Sequence, residues 1–238
     1  MNRIHLYLVL LSVNIIILSL NRLTGLTQLH LQPFEFLRLL DFNAMLPIPL
    51  MAVLLYYLIK SEITGDHPFR KTALYVFLSI LFIAGIYLFA AGSGTHEVTN
   101  YLHFRFCTTG QSDSAFCNII KYNDDAFSHY VYYAGFILMN IALMLIEAKM
   151  PRKKPVSGKD LLFISVNSLF IGLGIFANLA FEEIGIDMYI FTFVMLFAIY
   201  LLYPFRIKLK KLPIVFYFAS SYSLGVISTL IYRSFLSK

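Results

Sequence analysis

The chain has 238 residues, of which 59% are hydrophobic and 13% charged, with a net charge of +6. A soluble domain carries nearer a quarter charged residues, so the composition excludes an ordinary water-soluble globule and points to an integral membrane protein. The positive balance is confined to particular loops, which excludes a nucleic-acid-binding surface and points to membrane topology instead.

Seven apolar stretches read as helices: Ile4–Leu20, Asn43–Ile59, Thr72–Ala91, Ala126–Ile146, Leu161–Phe181, Met188–Tyr203 and Pro213–Tyr232. The expected fold is all-α and polytopic, one transmembrane domain over residues 1–238, with seven spans of near the ~20 residues a bilayer needs. The first stretch follows Arg3 and is not followed by a small-residue cleavage site, so it reads as a retained span. The connector after it, 21–42, mixes Leu with Thr, Gln and His and then gives Pro33-Phe34-Glu35-Phe36-Leu37-Arg38. That last piece reads as a short interfacial helix started by the proline, and Asp41 as an N-cap ahead of the Pro47 and Pro49 pair.

The third stretch extends as a helix through Phe106, beyond what a bilayer covers. His96, Asn100 and His103 then fall at i, i+4 and i+7 on one helix face, with Glu97 at its edge. Cys107 and Cys117 follow in the same loop and are expected to pair in an oxidising compartment. Asp125 and His129, four apart at the start of the fourth span, complete the set, with Asp124 and Tyr133 beside them. Neutral imidazoles with a carboxylate are what a zinc or iron site uses. The expected metal ligands are His96, His103 and His129. Glu97, Asp125 and Glu182 are the expected catalytic carboxylates, and Asn100, Arg105, Asp124 and Tyr133 the substrate-contacting groups. Glu182-Glu183 ends the fifth span, where an acidic group opposes the helix dipole and invites a cation or a basic partner such as Arg105. Within the spans, Ser79, Asn140, Asn167 and Ser168 read as interhelical hydrogen-bonding groups, and Glu147 as a boundary residue that snorkels.

The basic residues fix an expected orientation. Loops 60–71, 147–160 and 204–212, with Arg3, hold 13 of the 19 lysines and arginines. The positive-inside rule makes those loops and the N-terminus cytoplasmic, and puts 21–42, 92–125, 182–187 and the C-terminus outside. The polar cluster then lies on the outer face of a plasma or inner membrane.

Seven spans with an interfacial His/Asp cluster resemble the architecture of the heptahelical zinc hydrolases, the alkaline-ceramidase and adiponectin-receptor group. The likeness stops at architecture, because their HxxxH pair belongs to the last span and Pro213–Tyr232 has no histidine. The same stretch has no lysine for a retinal Schiff base, and Glu182-Glu183 lacks the following arginine of the prenyl-protein proteases. From the residues alone, the expectation is a membrane-embedded enzyme that hydrolyses a lipid or lipid-linked substrate with a divalent metal. A cation transporter and a scaffold docking a protein partner are the other readings. A transporter should carry ionisable residues near the bilayer midplane, and these spans are nearly free of them.

Overall fold

The computed structural model describes residues 1–108, 114–181, 185–203 and 209–235. The chain is 86% helix, without strands among the described residues. The α-helices are α1 (Asn2–Leu23), α2 (Leu39–Met45), α3 (Pro47–Thr64), α4 (Ala73–Phe106), α5 (Ala115–Tyr122), α6 (Ser128–Lys149), α7 (Gly158–Phe181), α8 (Asp187–Leu202) and α9 (Pro213–Phe235). Among the described residues, six helical stretches are long and apolar enough to cross a membrane: α1, α2–α3, α4, α5–α6, α7 and α9. α8 is apolar too but has only 16 residues. At 1.5 Å per residue it spans about 24 Å, short of the ~30 Å hydrocarbon core.

The helix ends follow local chemistry. Pro47 has no N–H to donate back to Asn43, so α2 and α3 are separate helices within one apolar run. Thr72 Oγ1 accepts from Tyr75 N and opens α4. Ser114 Oγ accepts from Cys117 N and opens α5. Ser157 and Asp160 form a reciprocal cap on α7, with Asp160 N donating to Ser157 Oγ at 3.1 Å and Ser157 N to Asp160 Oδ2 at 2.8 Å. Asp160 Oδ1 also meets His5 Nε2 at 2.6 Å, which ties α1 to α7.

The helices divide into two compact units, Met1–Ile15 with Leu55–Phe82 and Asn140–Lys238, and Ile16–Leu54 with Ile83–Met139. In the first, α7 and α9 approach closely enough that a Cβ on Gly172 would lie 2.8 Å from Leu224 Cβ. Asn140 accepts from the hydroxyls of Tyr56 and Tyr222, Asn167 from Ser12, and Ser168 donates to the Tyr217 carbonyl, so three of the expected polar ties are interhelical. Glu147 corrects the sequence reading. It does not snorkel; its side chain is 1% exposed, and its carboxylate accepts from Ile214 N and Val215 N at 2.9 and 2.7 Å. An anion on the free N–H groups behind Pro213 is the favourable end of a helix dipole, and it offsets the desolvation of the charge.

In the second unit α4 packs on α6 through glycines. A Cβ on Gly85 would lie 2.8 Å from Met139 N, and one on Gly135 2.6 Å from Gly85 O. Small residues let helix backbones approach where lipid supplies no hydrophobic drive. The connector 21–42 departs from expectation. Pro33–Arg38 is no helix but the closing turn of a hairpin, with His30 bridged to Arg38 and Leu31 N donating to Leu37 O at 2.7 Å. Phe34 and Glu35 take φ of 66° and 53°, which a right-handed helix cannot contain. Asp41 is no simple N-cap either. It is fully buried and grips the Arg38 guanidinium through two 2.8 Å bonds, while Arg38 lies over the Phe104 ring at 4.3 Å.

Candidate functional site

α4 is longer than a bilayer needs. Its 34 residues extend about 51 Å, and Ala73–Ala91 alone carry the unbroken apolar run. The turns from Gly92 onward lie beyond that run, and they bear His96, Glu97, Asn100, His103 and Arg105. The facing wall comes from α5, α6 and the segment joining them. Asn123–Phe127 is a π-helical turn, with the Ser128 N–H donating to Asn123 O. Such single turns insert a residue into an α-helix and are frequent at functional sites.

The insertion decides which carboxylate faces α4. In a regular α-helix Asp125 would share a face with His129, four residues on. In the π register the partner is five residues back, and Asp124 turns inward instead. Asp124 is 5% exposed, whereas Asp125 is exposed to solvent. The Asp124 carboxylate lies between two imidazoles. Its Oδ2 is 3.1 Å from His103 Nδ1 and its Oδ1 3.2 Å from His96 Nδ1. Only the first contact is in line for a hydrogen bond, so buried Oδ1 has none. The His129 ring lies 4.6 Å from that of His96, and buried Tyr133 backs His129 at 6.2 Å.

The three histidines and Asp124 are thus brought together. His103, Asp124 and Asp125 offer ligand atoms that all lie within 4.8 Å of one another. A tetrahedral zinc with ~2.1 Å bonds wants ligands about 3.4 Å apart, and the exposed Asp125 is the member free to close that difference. Asn100 lies on α4 between the two histidines and is half-buried. Glu97 is buried, and its Oε1 looks to Arg22 Nη2 at 3.7 Å. Arg105 is occupied elsewhere. It pairs with the Glu35 carboxylate at 3.2 Å, bonds to the Phe34 and Glu35 carbonyls and takes the Tyr101 hydroxyl at 2.5 Å. It holds the 30–38 hairpin against α4. Glu182 lies outside the described residues.

Cys107 and Cys117 form the expected disulfide, with Cα atoms 5.6 Å apart. Both sulfur-bearing residues are buried with Ile120 and Leu102, so the bridge fastens the end of α4 to the first turn of α5. The site hangs between these fastened ends. Arg22 and the Arg38–Asp41 pair were not singled out as site residues in the sequence. The i,i+3 spacing of opposite charges in a greasy segment is the signal that marks Arg38 and Asp41.

Imidazoles and carboxylates grouped in this way could hold a divalent cation. An imidazole whose Nδ1 is held by a carboxylate presents Nε2 in fixed orientation, the arrangement found behind metal-bound histidines. No protein-family model matches the chain, and no curated protein or solved structure is similar enough to match it. What stands is a membrane-type helical bundle with a His/Asp cluster at the C-terminal end of α4.

Proposed function

We propose that the chain is a membrane-embedded, metal-dependent hydrolase acting on a lipid or lipid-linked substrate at the outer bilayer surface. The observation that carries this reading is the buried Asp124 carboxylate, set between His96 and His103 with Oδ1 lacking a hydrogen bond. A buried carboxylate oxygen whose nearest donor, His96 Nδ1 at 3.2 Å, lies out of line is under-satisfied, and a divalent cation would satisfy it. Asp124, Asp125 and His103 are the proposed first ligands, with His96 beside Asp124 and the His129 ring 4.6 Å from that of His96. Zinc or ferrous iron suits imidazole with carboxylate. Held there, such a metal would supply an acidified water as nucleophile for hydrolysis of an ester or phosphoester bond to the acid and its alcohol. Position supports the substrate class. The cluster begins just over one turn beyond the apolar run of α4, which would set it at headgroup depth with acyl chains left in the bilayer. The disulfide on the same helix end supports an oxidising, outward side. Transport is less well supported, because Leu74–Ala91 carries no ionisable side chain except Tyr75 and Tyr87.

Metal analysis of the full chain purified in chelator-free detergent tests the proposal. One zinc or iron per chain is expected, falling below a tenth of that in Asp124→Asn, together with esterase or phosphoesterase activity on detergent-dispersed lipids that falls in parallel. Wild-type protein without metal, and unresponsive to added Zn²⁺ or Fe²⁺, would make the cluster a structural tie and favour the scaffold reading.

A further inference from the structure

The first unit contains a cavity of about 420 Å³ that has no part in the His/Asp cluster. Its walls are the first turn of α1, the last two turns of α3, the turn after it and the first turn of α4. Three membrane-spanning helices begin or end there, so the cavity opens at a bilayer boundary. Arg3, Lys60 and Arg70 line it together with Glu62 and Asp66.

The charges are not equally satisfied. Glu62 lies 3.7 Å from Arg3, and Asp66 lies 3.9 Å from Arg70, whose Nη1 also donates to the Gly65 carbonyl at 2.8 Å. Lys60 is different. It is half-buried, its ammonium donates to the Tyr75 hydroxyl at 3.3 Å and sits 4.9 Å from the centre of that ring. No carboxylate lies within ion-pair distance of it among the described residues. A partly desolvated ammonium without a counter-charge in a polar cavity is a place for an anion. Arg3, 76% exposed, is free to swing onto such an anion, and guanidinium matches the geometry of phosphate oxygens. The Ser61 hydroxyl and Tyr57 complete a donor-rich wall.

We infer that this cavity binds a phosphodiester, with Lys60 as the charge that fixes it and Arg3 closing over it. The two wall carboxylates keep the local charge low, which favours a singly charged diester over a phosphate dianion. A lipid headgroup and a soluble diester present the same chemistry.

The test uses the full chain in phosphate-free detergent, with binding read by native mass spectrometry. The probes are dioleoyl phosphatidylglycerol, glycerophosphoglycerol as its headgroup alone, and dioleoylglycerol as the phosphate-free control. A phosphate-bearing adduct well above the dioleoylglycerol level is expected, at least tenfold weaker in Lys60→Met and retained in Lys60→Arg. Binding of the lipid alone assigns the site to a membrane headgroup, and binding of glycerophosphoglycerol as well assigns it to a soluble diester. Arg3→Ala, on an exposed side chain, keeps the test open should Lys60→Met not fold, and a several-fold loss is expected there too. No adduct above the control, or unchanged binding in the folded cavity variants, overturns the inference. Neither result touches the metal measurement above.

Discussion

At the residue scale the lesson lies in Asp124 and Asp125. The sequence shows the imidazoles and the acidic pair, and i,i+4 counting assigns His129 to Asp125. The count assumes α-helical rise, and the π turn at Asn123–Phe127 shifts it by one. Nothing in the residue types announces that shift. The two aspartates should therefore separate by experiment: Asp124→Asn is expected to weaken Zn²⁺ binding far more than Asp125→Asn, each read by competition with a fluorescent chelator. Equal losses would mean that exposed Asp125 binds as firmly as buried Asp124, and that burial between the imidazoles adds nothing. Glu147 gives a second residue-scale expectation. Glu147→Gln keeps the shape but removes a charged acceptor from two backbone donors, and should lower stability by about 2 kcal/mol in denaturant unfolding followed by circular dichroism. An unchanged midpoint would mean that α9 is capped some other way. Glu147 was misread in the sequence because a carboxylate beside Lys149 at a span end looks solvent-bound; its partner is supplied from far along the chain.

At the element scale, the long spans were readable because apolar runs must be helices in lipid, where every backbone group needs an internal partner. The connector was not, since Phe34 and Glu35 adopt positive φ that their side chains do not advertise. The extension of α4 to Phe106 was readable from helical spacing alone. Two changes probe how elements build the site. Deleting Ala126 removes the inserted residue and leaves Asp124 four residues before His129, so an α register keeps Asp124 turned toward His96 and His103. Zn²⁺ binding is expected to persist, with helix content unchanged by circular dichroism, and a fall to the level of Asp124→Asn would mean that the π turn itself holds Asp124 in place. Gly135→Ala would put a Cβ 2.6 Å from Gly85 O, so α4 and α6 must part. A loss of roughly 1–3 kcal/mol is expected. Unaltered stability would show that the two helices already have room between them.

At the scale of the whole molecule, the count of crossings is the open element of the topology. Six stretches have the length, and the positive-inside pattern asks for seven. α8 crosses only if the bilayer thins or its flanks contribute, so an accessibility assay on both sides is the deciding measurement. Lys154→Cys, exposed and outside the Ser157–Asp160 cap, should resist an impermeant maleimide in intact cells. A reporter fused after Lys238 should be active on the opposite side. Labelling of Lys154→Cys would reverse the orientation, and a reporter on the same side as that loop would reduce the crossings to six. The hydropathy pattern could not decide this, because 16 apolar residues suit a buried helix as well as a short span.

The Glu147 cap also has a consequence in time. The carboxylate and the amides that hold it lie 67 and 68 residues apart, and α7 and α8 must be made in between. At ~5–20 residues per second, α6 waits roughly 3–13 s with an acid at its end whose two amide donors are not yet made. Only the arrival of Pro213 and the turn behind it closes that account. The last helix therefore completes the cap on Glu147. A chain broken off before it carries an unpaired carboxylate among membrane helices, the kind of feature by which a cell's proteases tell an unfinished product from a finished one.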